Sequence, residues 1–202
     1  MRTRTTLILL LFLMAVPPVK SQLLTPAQLD TARIYRSVEA ALQSALPVYR
    51  LDLSRQKLEA FPAEILRLTQ LQELRLSRNT IVRLPDGLSA LTYLQRFTCI
   101  RCDLDSIPPS LLQLAHLTSL DLGDNYIRTI PEEISQLQAL RVLALWDNPI
   151  NTYPQSLGEL EKLEYLDLLH NQMNLITQER VRGLLPGTRI IFSPPCKCED
   201  GE

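Results

Sequence analysis

Four cysteines are the most chemically capable residues in this 202-residue chain: Cys99 and Cys102 as C-x-x-C, and Cys196 and Cys198 as C-x-C. The first spacing suits a redox dithiol or half of a tetrahedral zinc site. Asp124, Asp147 and His170 form a second group, spaced evenly by 23 residues, with the donor types of a carboxylate–histidine metal site. The other histidine, His116, stands apart from them. No Ser-His-Asp order, G-x-S-x-G, H-E-x-x-H or phosphate-cradling glycine loop occurs. Whether the cysteines and the Asp–His series do chemistry depends on the elements that position them.

The chain opens "MRTRTTLILLLFLMAVPPVKSQ", with Arg2 and Arg4 ahead of an unbroken apolar run from Leu7 to Val16. Ten apolar residues fall short of a bilayer of ~30 Å, and Val19 and Ser21 occupy small-residue positions before a cut. Residues 1–21 therefore read as a secretory signal peptide, and an uncleaved anchor is the alternative. Without Arg2, Arg4 and Lys20 the net charge moves from −1 to −4. That mild acidity excludes a global basic field for nucleic acid. No second apolar run approaches membrane length, so the expected product is exported, either periplasmic or secreted, with no integral membrane segment after cleavage.

A period of 23 organises the remainder. Leu71, Leu94, Leu117, Leu140 and Leu163 recur at that interval, and Val48 extends the series backward. The aligned units, such as "LQELRLSRNTIVRLPDGLSALTY" and "LTSLDLGDNYIRTIPEEISQLQA", share L-x-x-L-x-L-x-x-N-x-I/L-x-x-L/I-P-x-x-L-x-x-L-x-x. The L-x-L segment alternates with period two, as a strand with one buried face must. Asn79, Asn125, Asn148 and Asn171 follow it and are able to bond backbone groups that the strand ladder leaves unpaired. Pro62, Pro85, Pro108, Pro131 and Pro154 then end the extended run and can open a helical turn. No unit can bury its leucines alone, so stacking must supply the core.

These motifs resemble the leucine-rich repeat family, in its 23-residue class with "LP" opening the convex segment; compact exported proteins of this type resemble bacterial examples. The resemblance covers residues 48–176 in six units and implies an α/β solenoid, with a curved parallel sheet on the concave face and short 3₁₀ or helical turns on the convex one. Residues 22–47 are expected to form an N-terminal capping helix. There Thr25 is the N-cap, Pro26 the first helical position and Gln28 the partner of a capping box, with Leu29, Ile34, Val38, Leu42 and Leu46 at helical spacing. Residues 177–193 are expected to close the other end with a helix and a final strand near Arg189 to Phe192, leaving 194–202 as a flexible tail.

The register answers the question about the thiols. Cys99 falls where other units place Leu53, Leu76, Leu122, Leu145 and Leu168, a core position where cysteine acts as a small hydrophobe. Cys102 falls on the asparagine column, where the family consensus accepts Asn or Cys. Each has a structural role that needs no partner, although an oxidising compartment leaves a Cys99–Cys102 disulfide open. A zinc site shared with Cys196 and Cys198 is excluded by reach. Four strand steps span roughly 19 Å, whereas four residues beyond Phe192 extend at most ~14 Å. For Cys196 and Cys198 a strained disulfide, an intermolecular bond and free thiols all stay open. Asp124, Asp147 and His170 read as exposed turn residues beside the asparagine column.

Outward strand positions form columns across the concave face: Arg50, Glu73, Arg96, Ser119, Val142, Tyr165, then Asp52, Arg75, Thr98, Asp121, Ala144, Asp167, then Ser54, Ser77, Ile100, Gly123, Trp146, Leu169. Arg75, Arg78, Arg96 and Arg101 crowd the N-terminal half, while Val142, Ala144, Trp146, Tyr165 and Leu169 form an apolar patch on the C-terminal half. Trp, Tyr and Arg dominate interface energetics, and an apolar cluster on a strand surface calls for an occupant. The expectation is a non-catalytic module with no cofactor and no metal. It takes a protein or peptide on Trp146, Tyr165, Leu169, Val142, Ile100, Arg75, Arg78, Arg96 and Arg101. A scaffold that self-associates as a homo-oligomer through the same patch is the alternative.

Overall fold

The structure, a computed structural model, describes residues 22–195. The expected leader and the tail cysteines Cys196 and Cys198 lie outside the described residues.

Each repeat opens on a short strand: β2 (Arg50–Asp52), β3 (Glu73–Arg75), β4 (Arg96–Thr98), β5 (Ser119–Asp121), β6 (Val142–Ala144) and β7 (Tyr165–Leu168). With β1 (Ile34–Tyr35) and β8 (Arg189–Phe192) they make one parallel sheet in which neighbours in sequence are neighbours in space. The pairing advances by one repeat at each step, setting Leu51 beside Leu74, then Phe97, Leu120, Leu143 and Leu166. All six are buried, so the inward face of the sheet is apolar throughout. The same pairing aligns Arg50, Glu73, Arg96, Ser119, Val142 and Tyr165 on the opposite face, and beside them Asp52, Arg75, Thr98, Asp121, Ala144 and Asp167.

The prolines act where the repeat pattern puts them. Pro62, Pro85, Pro131 and Pro154 hold extended backbone just before single 3₁₀ turns at Ala63–Arg67, Asp86–Ala90, Glu132–Gln136 and Gln155–Glu159. In the third repeat Pro108 precedes a true α-helical turn, Pro109–Leu112, whose first position is a second proline. These turns bury Ile65, Leu88, Leu111, Ile134 and Leu157 against the strand leucines. Each such side chain contributes roughly 1.5–3 kcal/mol by leaving water, and only the stacked repeats provide the apolar surroundings.

Between strand and turn the chain reverses. Arg55, Arg78, Arg101, Asp124, Asp147 and His170 all have φ between 54° and 62°, a left-handed conformation that costs a non-glycine residue roughly 1–2 kcal/mol. After Arg78, Asp124, Asp147 and His170 the next residue is an asparagine, a rung of the buried ladder. Asn125 illustrates the compensation: its Oδ1 accepts from Cys102 and Leu104 N–H, and its Nδ2 donates to the carbonyls of Cys99 and Leu122. Asn79, Asn148 and Asn171 do the same work in their own repeats. Cys102 interrupts that ladder. It is bonded to Cys99 across a Cα–Cα distance of 5.7 Å, and both residues are fully buried. The register is therefore as expected for each cysteine, but the two are a pair rather than two independent substitutions.

The N-terminal cap differs from the single helix that its spacing predicts. Helix α1 (Pro26–Thr31) carries the expected capping box between Thr25 and Gln28, but ends at Thr31. The chain then extends so that Ile34 and Tyr35 pair with Arg50 and Leu51, and a second helix (Val38–Leu42) starts on Ser37, whose Oγ caps the Ala40 N–H. Tertiary contacts decide this break. Arg50 Nη1 donates to the Asp30 carbonyl at 2.8 Å and the Ala32 carbonyl at 3.3 Å, taking the groups that a longer helix would have used. At the other end a ten-residue helix, Leu175–Leu184, starts on Asn174, two residues inside the span read as repeats, and leads into β8.

Candidate partner-binding face

The outward face of the sheet divides into two chemically distinct halves. In the N-terminal half Glu73 is only 2% exposed, and its carboxylate organises the surrounding arginines. Arg50 grips it with two bonds, Nε–Oε2 at 3.0 Å and Nη2–Oε1 at 3.1 Å. Arg75 Nε lies 2.7 Å from Oε1, and Arg96 Nη1 lies 3.5 Å from Oε2. Arg96 also bonds Asp30 on α1, and that bond first, with the neighbouring arginine charges, holds the Asp30 carboxyl below the usual carboxylate range. Arg96 thus ties the cap to the sheet, and both it and Arg75 keep part of their surface in solvent. The signal was present in the register, since Glu73 stands between Arg50 and Arg96 in one column, but the sequence reading named only the arginines.

The remaining basic candidates sit at the strand exits. Arg101 Nε donates to Asp124 Oδ2 at 2.6 Å, whereas Arg78 is exposed and has no ion pair among the described residues. Asp124, one member of the Asp124, Asp147 and His170 series, is thus already paired with Arg101. Among the described residues no group of three His, Cys, Asp or Glu is arranged to hold a metal.

The C-terminal half is apolar and acidic. Val142, Trp146, Tyr165 and Leu169 are half-buried, as is Ile100 on the neighbouring part of the face. Trp146 is not a free flag of aromatic surface: a β-carbon placed on Gly123 would stand 2.2 Å from its Cε2, so the indole packs directly over that glycine. Tyr165 donates its hydroxyl to Asp167 Oδ2 at 3.2 Å, and the Arg189 guanidinium lies 5.9 Å from its ring centre. Burial first, then the Asp167 charge, pushes the Tyr165 hydroxyl pKa up. On the two strands flanking β6 stand Asp121 and Asp167, with Ala144 between them. Burial raises the Asp121 pKa, the Gly123 N–H opposes that, and the Asp167 charge adds to it. The sequence columns contained both aspartates, yet nothing in the pattern marked them as unpaired.

Among the described residues no helix is long and apolar enough to cross a membrane. The leucine-rich repeat profile matches residues 101–150 and 115–173. Similar solved structures include a leucine-rich repeat protein of Leptospira interrogans, 27% identical with a TM-score of 0.64, the alignment covering 82% of this chain and 49% of that one. The Arabidopsis receptor kinase HAESA, in complex with the peptide hormone IDA and the co-receptor SERK1, is 30% identical with a TM-score of 0.54, covering 63% and 22%. TLR13, in a TLR13–ssRNA13 complex, is 33% identical with a TM-score of 0.62, covering 70% and 20%. This chain spans about half the length of the first and less of the others. A comparison with curated protein sequences gives no match. The fold is that of a leucine-rich repeat solenoid, and residues 101–173 match the leucine-rich repeat family model.

Proposed function

We propose that this protein is a non-catalytic module of the 23-residue repeat class that binds a protein or peptide on the concave face of its solenoid. One observation carries the reading: Val142, Trp146, Tyr165 and Leu169 gather on the outward side of a sheet whose inward side already buries a complete leucine core. Folding does not require aromatic residues there, and interfaces enrich them. The presence of a peptide hormone on HAESA supports the same mode of use. The test is capture by a photoreactive side chain introduced at Leu169, followed by affinity measurement on the captured partner with Tyr165→Ala. A melting curve confirms that the variant is folded. Loss of binding supports the face; full affinity in a folded variant overturns it. Self-association through the same patch predicts instead that the captured partner is a second copy, with a mass that rises with concentration in light scattering.

Export belongs to the same proposal. The apolar leader and the buried Cys99–Cys102 disulfide agree, because disulfides persist in oxidising compartments. Mass spectrometry of protein recovered from outside the cytoplasm should show a chain beginning near Gln22; an intact Met1 would reject it.

A further inference from the structure

The middle column of β5, β6 and β7 places Asp121, Ala144 and Asp167 side by side, in register and about 4.8 Å apart at each step. Ala144 is the smallest side chain of that row and is 7% exposed, with a carboxylate-bearing strand on either side of it. Trp146, two residues beyond Ala144 at the exit of β6, and Tyr165, the residue of β7 paired with Val142, stand near it. Each aspartate is oriented by its own turn: Asp121 Oδ1 accepts from Gly123 N–H at 3.1 Å, and Asp167 Oδ1 accepts from Leu169 N–H at 3.0 Å.

The contrast with the other acids of this face is what points to an occupant. Asp52 has Arg36, Asp30 has Arg96, and Glu73 has three arginines. Asp121 and Asp167 have no cationic partner among the described residues, although Asp167 receives the Tyr165 hydroxyl. Two half-buried carboxylates set within ~10 Å of each other repel without an internal counter-charge among the described residues. The burial-driven rise at Asp121 is consistent with that missing charge. A planar guanidinium or an ammonium, entering over the Ala144 methyl, would meet a carboxylate on each side and aromatic faces beside it.

We propose that the C-terminal half of the face receives a lysine or arginine side chain from an extended segment of a protein partner, seated over Ala144 between Asp121 and Asp167. The inference rests on the concave-face reading and adds the chemistry of one residue of the ligand. Charge complementarity selects this occupant over an acidic or wholly apolar one.

Trp146 is the chain's single tryptophan and reports on the site directly. The probes are an octapeptide of alternating Ala and Arg and its Ala–Glu counterpart, titrated at low salt against Trp146 emission. The expected result is a saturable change with the Arg peptide, weakened about tenfold in Asp121→Asn and in Asp167→Asn, and no saturation with the Glu peptide. Both variants keep the Oδ1 acceptor of their turn, and Asp86→Asn, the same charge change on the convex side, should stay within twofold of the parent. Equal affinity across all variants, or an equal response to both peptides, would overturn the proposal. If a natural partner loses affinity with Tyr165→Ala yet is indifferent to both Asn variants, this inference fails while the concave-face reading stands. If Tyr165→Ala leaves that partner's affinity unchanged, the broader reading fails.

Discussion

Trp146 packs over Gly123 so closely that the glycine has no room for a side chain: an added β-carbon would meet the indole at 2.2 Å from Cε2 and 2.3 Å from Nε1. A residue read from the sequence as an outward-facing member of the apolar patch is therefore seated by its neighbouring strand, and the surface it offers is preorganised. Gly123→Ala should displace the indole, at a cost of about 1–3 kcal/mol if the sheet resists. Trp146 emission should move to the red and partner affinity should fall with it. An unshifted spectrum would mean that the indole is not held by this contact.

The Arg50–Glu73 pair makes a second prediction. Both residues are nearly inaccessible and doubly bonded, so removing one leaves the other as a stranded buried charge. Glu73→Gln should destabilise the protein by about 3–5 kcal/mol in urea unfolding. Replacing both by apolar residues of similar size should cost much less than the two single changes combined. Additive losses would show that the two side chains act independently.

The disulfide substitutes for a missing rung. At Asn125, side-chain oxygen and nitrogen together satisfy four or more backbone groups, a task Cys102 cannot perform. Cys99→Leu with Cys102→Asn restores the residues found in the flanking repeats, and that variant should melt at the same temperature with and without reductant. The parent should lose about 2 kcal/mol on reduction, because a loop this short removes little entropy from the unfolded chain. A parent that is insensitive to reductant would deny the bond a role in stability.

A pH dependence follows from Asp121. Its folded-state pKa is raised above 3.8, chiefly by burial, so the native state holds this proton more tightly than the unfolded state does. The contribution is fully present below 3.8 and is lost as pH rises through the folded value. Asp121→Asn should therefore be more stable than the parent at pH 7, with the difference vanishing in acid below the unfolded value. A constant difference across that range would locate the effect elsewhere.

How much of this was legible beforehand varies by residue. The strand columns, the convex prolines and the places of Cys99 and Cys102 all follow from a 23-residue period, because a repeat that must bury its leucines has one stacking register. The final strand is read instead from the local segment "PGTRIIF", and it pairs one residue off that period. The break of the N-terminal cap was not legible. Local spacing from Leu29 to Leu46 fits a helix, but the Arg50 guanidinium claims the carbonyls at Asp30 and Ala32, and the first strand needs Ile34 and Tyr35 at its edge.

Periodicity alone dictated which residues share a face. Which of them remain available on it was settled by packing across the sheet. Glu73 gathers Arg50, Arg75 and Arg96 because strands ~4.8 Å apart bring long side chains within ion-pair reach. Among the described residues Asp121 and Asp167 have no cationic partner, because the residue between them is alanine and their neighbours on the opposite side, Thr98 and Ile191, carry no charge. The repeat spells out positions, and pairing depends on reach, burial and charge among residues that the chain brings together only by coiling.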